Sequence, residues 1–110
     1  MNHLEHRLQY DCYQWFRNTY PQYRGLLCAN LSNSKNKVDG NRNKAMGLQA
    51  GRSDMVFYFA RNAYQIELKI ASGKQSPAQI EWQKVIESQG FNYYIVRTLE
   101  EFQELISSII

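Results

Sequence analysis

At 110 residues, 44% hydrophobic and 21% charged, the chain has the size and composition of one globular domain with one modest core. No apolar run approaches a membrane span, since the longest, "MVFYFA" at 55–60, is strand-sized, and "MNHLEHRLQ" lacks the apolar core of a signal peptide. The net charge of +3 is a weak hint as a total, and Cys12 and Cys28 form no CxxC, so the chain reads as cytosolic with reduced cysteines, in a bacterial or phage-infected cell or a nucleus.

Residues 3–18 carry apolar side chains at Leu4, Leu8, Cys12, Trp15 and Phe16, a helical stripe with Asn2 as its expected N-cap. "YPQY" at 20–23 stops that helix, because proline has no N–H and restricts the residue before it. "LLCAN" at 26–30 reads as a short strand. Residues 32–44, "SNSKNKVDGNRNK", are rich in Ser, Asn, Lys and Gly and are expected to form a long loop, with one helical turn over 44–49. "DMVFYFA" at 54–60 and "AYQIELKI" at 63–70 read as a hairpin turning at Arg61 and Asn62. A helix is expected at 77–89, with Ser76 as N-cap, Pro77 at the first helical position, Gln79 completing a capping box and Gly90 ending it. "FNYYIVR" at 91–97 is a further strand. "TLEE" opens a last helix with Thr98 and Glu101 as its capping box, and that helix ends in the apolar "LISSII". The order α-β-β-β-α-β-α contains a βαβ unit over 63–97, which requires a parallel pair. With the antiparallel hairpin it predicts a single α/β domain over 1–110, built on a mixed four-stranded sheet flanked by helices.

In "YQIELKI", Tyr64, Ile66, Leu68 and Ile70 line one face of the strand, while Glu67 and Lys69 project from the other. With Arg61 and Asn62 as a two-residue loop, Ala60 pairs with Ala63, Asp54 falls opposite Lys69, and Val56 falls opposite Glu67. Asp54 is then a diagonal neighbour of Glu67, roughly 7–8 Å away at the backbone, near enough for two carboxylates to share one ion. A cross-strand ion pair on a wet face, worth at most about 1 kcal/mol, explains an isolated E-x-K without any chemistry. Two features favour a site: Asp54 follows the glycine-bearing "GLQAGRS", and the polar groups meet at one end of the sheet.

The strings "GLQAGRSDMVFYF" and "YQIELKIASGKQSPAQIEWQ" resemble the virus-type replication-repair nuclease (VRR-NUC) family of the PD-(D/E)XK nuclease superfamily. The likeness covers essentially the whole chain, from a glutamate on the first helix (Glu5), through G-x-x-x-G-x-S-D and the E-x-K strand, to S-P-x-Q-x-x-W on the next helix. Ala50 stands where members often have proline, and Ser53 stands where the superfamily name has proline; neither position carries a reacting group. The resemblance implies the αβββαβα restriction-endonuclease-like core and metal-dependent hydrolysis of a phosphodiester. It implies Asp54, Glu67 and the backbone carbonyl of Leu68 as ligands of Mg²⁺ or Mn²⁺, for which hard oxygen donors are suited. Lys69 would hold the attacking water. Glu5 would approach the metal directly or through water, and Gln79 would lie near the site. Glu5 as the third residue of an Asn2 capping box, and Gln79 as a cap alone, are the competing readings. Trp82 reads as core packing rather than a base-stacking platform, and His3 and His6 as surface residues.

Residues 31–53 set several basic side chains against Asp39, whereas 81–110 are predominantly acidic. Lys35, Lys37, Arg42, Lys44, Arg52 and Lys74 are the candidate phosphate contacts, which position DNA without reading its sequence. Nothing resembles a helix-turn-helix, a zinc finger or an aromatic RNA-binding sheet, so specificity is expected from nucleic-acid shape. A small single-domain member of the family would act on branched DNA such as a four-way junction, as a homodimer whose two-fold suits that substrate. Leu105, Ile106, Ile109 and Ile110 would then lie in the interface or pack on the sheet. The rival readings are an inactive nucleic-acid-binding module of the same fold and a protein-interaction domain using the basic segment on an acidic partner.

Overall fold

The aromatic and β-branched runs build a four-stranded sheet from β1 (Leu27–Ala29), β2 (Met55–Phe59), β3 (Asn62–Leu68) and β4 (Tyr93–Val96), in that spatial order. The first two pairings are antiparallel and the third is parallel, so the sheet is mixed as expected. The computed structural model describes residues 3–30 and 37–110, the side chains of 37–39 excepted; Asn2 and Lys35 lie outside the described residues. Among the described residues four α-helices accompany the sheet: α1 (His3–Thr19), α2 (Lys37–Ala45), α3 (Pro77–Ser88) and α4 (Leu99–Ile109). Among the described residues no helix is long and apolar enough to cross a membrane.

One face of the sheet carries the core. Met55, Phe57, Ile66, Leu68 and Val96 pack there with Cys12 and Phe16 of α1 and with Phe102 and Ile106 of α4. Burying each large side chain of this kind stabilises the fold by about 1.5–3 kcal/mol. Edge-on aromatic contacts fix the helices laterally, with ring centroids 5.4 Å apart for Phe16 and Phe57 and 6.0 Å for Trp15 and Phe102. Leu105 and Ile109 pack against this cluster too, so the fold uses most of the apolar end of α4, and Ile110 is exposed. The other sheet face carries Gln65, Glu67 and Tyr93, where the α3 residue Trp82 meets the Tyr93 ring at 6.0 Å.

Four local expectations are corrected. The hairpin turns at Ala60 and Arg61, both with left-handed φ (51° and 68°), rather than at Arg61 and Asn62. Phe59 therefore pairs with Asn62 and Met55 with Ile66, which carries Asp54 opposite Glu67 instead of Lys69. The loop slides by one residue and the pairing by two, so every side chain keeps its face; hydrophobic alternation fixes only that parity. Second, much of the segment read as a loop is α2, and Met46–Leu48, read as helical, form the turn that ends it, with Gly47 at φ +102°. "KVDGNRNKA" has no apolar face, so periodicity gave no signal of a helix there. Third, Leu4 is exposed, and Glu5 takes the inward position that continues the Leu8–Cys12–Phe16 face. Finally, the Thr98 side chain does accept from the Glu101 amide (3.1 Å), but Glu101 reaches back to the Arg97 amide (2.8 Å) and leaves the reciprocal half of the box unmade.

Candidate active site

Asp54 is placed by a knot of hydrogen bonds before β2. The Asn30 amide donates to the Asp54 carbonyl (2.9 Å), the Asn30 side chain donates to the Ser53 carbonyl (3.0 Å), and Arg52 donates to Asn30 Oδ1 (2.7 Å). Ser53 is buried, and its hydroxyl lies 3.0 Å from Gln65 Oε1 and 3.1 Å from the Met55 carbonyl. Gly51 lets this segment approach α3: a Cβ there would lie 2.2 Å from the Ala78 carbonyl oxygen, and its φ of +81° also favours glycine. The glycine turn of the motif is thus a close packing of backbone on backbone.

The Asp54 side chain crosses to β3, where Oδ2 accepts the Leu68 amide at 2.7 Å. Burial pushes its carboxyl up to about 6; the Leu68 hydrogen bond and Lys69 oppose the rise, while the charges of Glu67 and Glu5 add to it. Glu5, buried on α1, therefore bears electrostatically on the site. Among the described residues no group of three or more His, Cys, Asp and Glu side chains is close enough to hold an ion. Asp54 and Glu67 are coupled through their charges.

Glu67 settles whether the polar face is merely wet. Its side chain is 0% exposed and that of Lys69 is 12% exposed, with Nζ 3.8 Å from Glu67 Oε2. A buried carboxylate needs compensation on both oxygens. Oε1 has it, accepting from the Tyr93 hydroxyl and from Gln75 Nε2 (3.1 Å). Oε2 is buried and has no hydrogen-bond partner among the described residues. That oxygen, near Asp54 and paired only at 3.8 Å with Lys69, is a hard donor with lone pairs to spare and fits a divalent cation. Burial and the neighbouring Glu67 both push the Tyr93 phenol up, so it remains a donor.

The other predicted residues are distributed differently. Gln79 Oε1 accepts from the Ser76 amide (2.7 Å) and Ser76 Oγ from the Gln79 amide (3.2 Å), so the capping role is present. Arg52 is engaged with Asn30, whereas Arg42, Lys44 and Lys74 are exposed. Lys37 opens α2, and Lys35 lies outside the described residues. Trp82 is half-buried against the Tyr93 ring on the face opposite the core cluster, so it does not pack in the core as expected, because α3 covers the polar face of the sheet.

Gln75 and Tyr93 were not singled out from the sequence. Strand alternation puts Tyr93 and Ile95 on one face, but only the pairing of Gln65 with Tyr93 and Glu67 with Ile95 brings that face beside Glu67. A helical crossover leaves this register open. Gln75 follows a turn that Arg97 pins by donating from Nη1 to the carbonyls of Ala71 (2.9 Å) and Gly73 (2.8 Å), a long-range contact with no local sequence signal.

A mixed four-stranded sheet flanked by helices, with two acids and a lysine gathered at one end of its antiparallel hairpin, defines the fold as α/β. Comparison with solved structures specifies it further. A VRR_NUC domain protein superposes with a TM-score of 0.80 at 18% identity, covering 100% of this chain and 90% of its own. A second structure, a VRR_NUC domain, gives 0.63 at 19% identity, covering 96% and 97%. No family model and no curated protein matches the chain. The fold is that of the VRR-NUC domain.

Proposed function

We propose that the chain is a VRR-NUC endonuclease, hydrolysing phosphodiester bonds of branched DNA such as a four-way junction in a Mg²⁺- or Mn²⁺-dependent reaction, as a homodimer. The observation that carries this reading is Glu67 Oε2, a fully buried carboxyl oxygen that has no hydrogen-bond partner among the described residues and lies near Asp54 and Lys69. Asp54, Glu67 and the Leu68 carbonyl would hold the ion, with Glu5 adding negative charge or acting through water. Two carboxylates suffice for Mg²⁺, which keeps several of its waters. When bound, the ion polarises the phosphoryl oxygen and lowers the pKa of a water. Lys69 Nζ would orient the attacking water and offset negative charge growing on the phosphoryl oxygens. The water oxygen forms the new bond to phosphorus, the bridging P–O bond breaks, and the departing oxygen takes up a proton. Arg42, Lys44 and Lys74, with Lys35 and Lys37, would contact backbone phosphates; Arg52 would contribute through its hold on Asn30 and the Ser53–Asp54 segment.

The test is cleavage of matched four-way-junction, splayed-arm and linear duplex DNAs with Mg²⁺, Mn²⁺ or EDTA, using wild type and Lys69→Ala. Metal-dependent cutting that the substitution abolishes is the expected result, and preference for the junction supports the branched-DNA reading. Salt-sensitive binding by both proteins with no cutting of any substrate would instead favour the inactive binding module.

A further inference from the structure

Glu67 has two carboxylate oxygens, and the protein treats them differently. Tyr93 and Gln75 both donate to Oε1, filling its lone-pair sites, while Oε2 has lone pairs left and Lys69 Nζ 3.8 Å away. Turning the carboxyl plane out of this orientation would break both donor contacts. Each donor is itself fixed. Gln75 Nε2 also donates to Gln83 Oε1 (2.8 Å), so both hydrogens of its amide are used, and Gln83 Nε2 donates onward to Glu87 Oε2 (3.3 Å). Tyr93 is held by strand pairing opposite Gln65 and by the Trp82 ring.

We propose that Tyr93 and Gln75 are positioning residues that lock Glu67, so that Oε2 alone is presented to the divalent cation. The inference rests on the metal-dependent reading above and adds what that reading lacks, a means of orienting the second carboxylate. It assigns β4 a part in metal affinity through Tyr93, and α3 a part through Gln83 and Trp82, although neither element supplies a ligand. Groups that orient a metal ligand typically change affinity about 10- to 100-fold when removed.

The experiment is Mn²⁺ binding to the DNA-free protein, by calorimetry or by the free-ion electron paramagnetic resonance signal, with melting temperature measured alongside. Wild type is compared with Glu67→Gln, Tyr93→Phe and Gln75→Leu. The expected result is loss of Mn²⁺ binding in Glu67→Gln and weakening of about 10-fold or more in Tyr93→Phe, with a smaller loss in Gln75→Leu. If Glu67→Gln binds Mn²⁺ as well as wild type does, or wild type binds none, the metal reading itself fails. If Glu67 proves necessary but the other two variants bind with wild-type affinity, the clamp alone is overturned, even where their melting temperatures fall. Should Tyr93→Phe not fold, Gln75→Leu decides.

Discussion

The Leu68 amide donates to Oδ2 of Asp54 at 2.7 Å, tying the acid that precedes β2 to the backbone of β3. Together with the two donors on Glu67 Oε1, this bond means that each acid of the pair has one anchored oxygen. The two carboxylates are therefore anchored by the protein's own donors, and Asp54 carries the cost of its burial, to which the charge of Glu67 adds.

That cost has a pH signature. The folded-state pKa of Asp54 is raised to about 6 from 3.8, so the native state binds more protons than the unfolded chain between those values. Stability of the metal-free protein should fall as pH rises from about 4 to 6, and the burden is fully present above that window. Asp54→Asn should stabilise the metal-free protein at pH 7.5 by on the order of 2 kcal/mol and do little at pH 4. Mg²⁺ should raise the melting temperature of wild type at pH 7.5 and leave Asp54→Asn unmoved. Denaturant titrations at the two pH values, with and without EDTA, measure all of this.

Gly51 should not tolerate a side chain. With the Ala78 oxygen 2.2 Å from its Cβ position, Gly51→Ala must push the Ser53–Asp54 segment away from α3. A loss of about 2–4 kcal/mol is expected, well above an ordinary surface substitution. Gly90→Ala is the control: it has a similar positive φ (+88°) and nothing within 4 Å, so it should show the backbone penalty alone, about 1 kcal/mol. Equal losses in chemical denaturation would refute the close-packing account.

The hairpin turn leaves stability unused. Ala60 and Arg61 both adopt left-handed φ, which favours Asn-Gly in a two-residue loop. The double substitution Ala60→Asn, Arg61→Gly should raise stability by about 1 kcal/mol and leave cleavage unchanged, because the turn lies at the end of β2 and β3 away from Asp54 and Leu68. A drop in the midpoint of urea unfolding would contradict the turn assignment.

Gln79 can be separated into its two suggested roles. Glutamate also completes a capping box, so Gln79→Glu should keep the melting temperature, whereas Gln79→Ala should lose about 1 kcal/mol. Wild-type cleavage rates in Gln79→Glu would mark the residue as a cap. A rate loss at unchanged stability would show that the amide does more than hold Ser76.

The sequence by itself determined the order of most elements, the capping box at Ser76 and Gln79, and the gathering of Asp54, Glu67 and Lys69 on one sheet face. These follow from local rules: alternation of apolar residues sets a strand's faces, and caps mark where helices begin. Even the misplaced hairpin loop kept the faces right, because a shift of two residues preserves alternation. Glu5 was half legible, since its spacing from Leu8, Cys12 and Phe16 continues the buried face of α1, yet only the packed helix brings its charge to bear on Asp54. Tertiary structure alone decided that Glu67 is fully buried, that Tyr93 and Gln75 anchor one of its oxygens, and that the other has no hydrogen-bond partner among the described residues. Those facts depend on the register between β3 and β4 and on a turn pinned by Arg97, contacts between residues far apart in the chain. No local pattern encodes such contacts, because they are set by how the whole sheet and its helices pack.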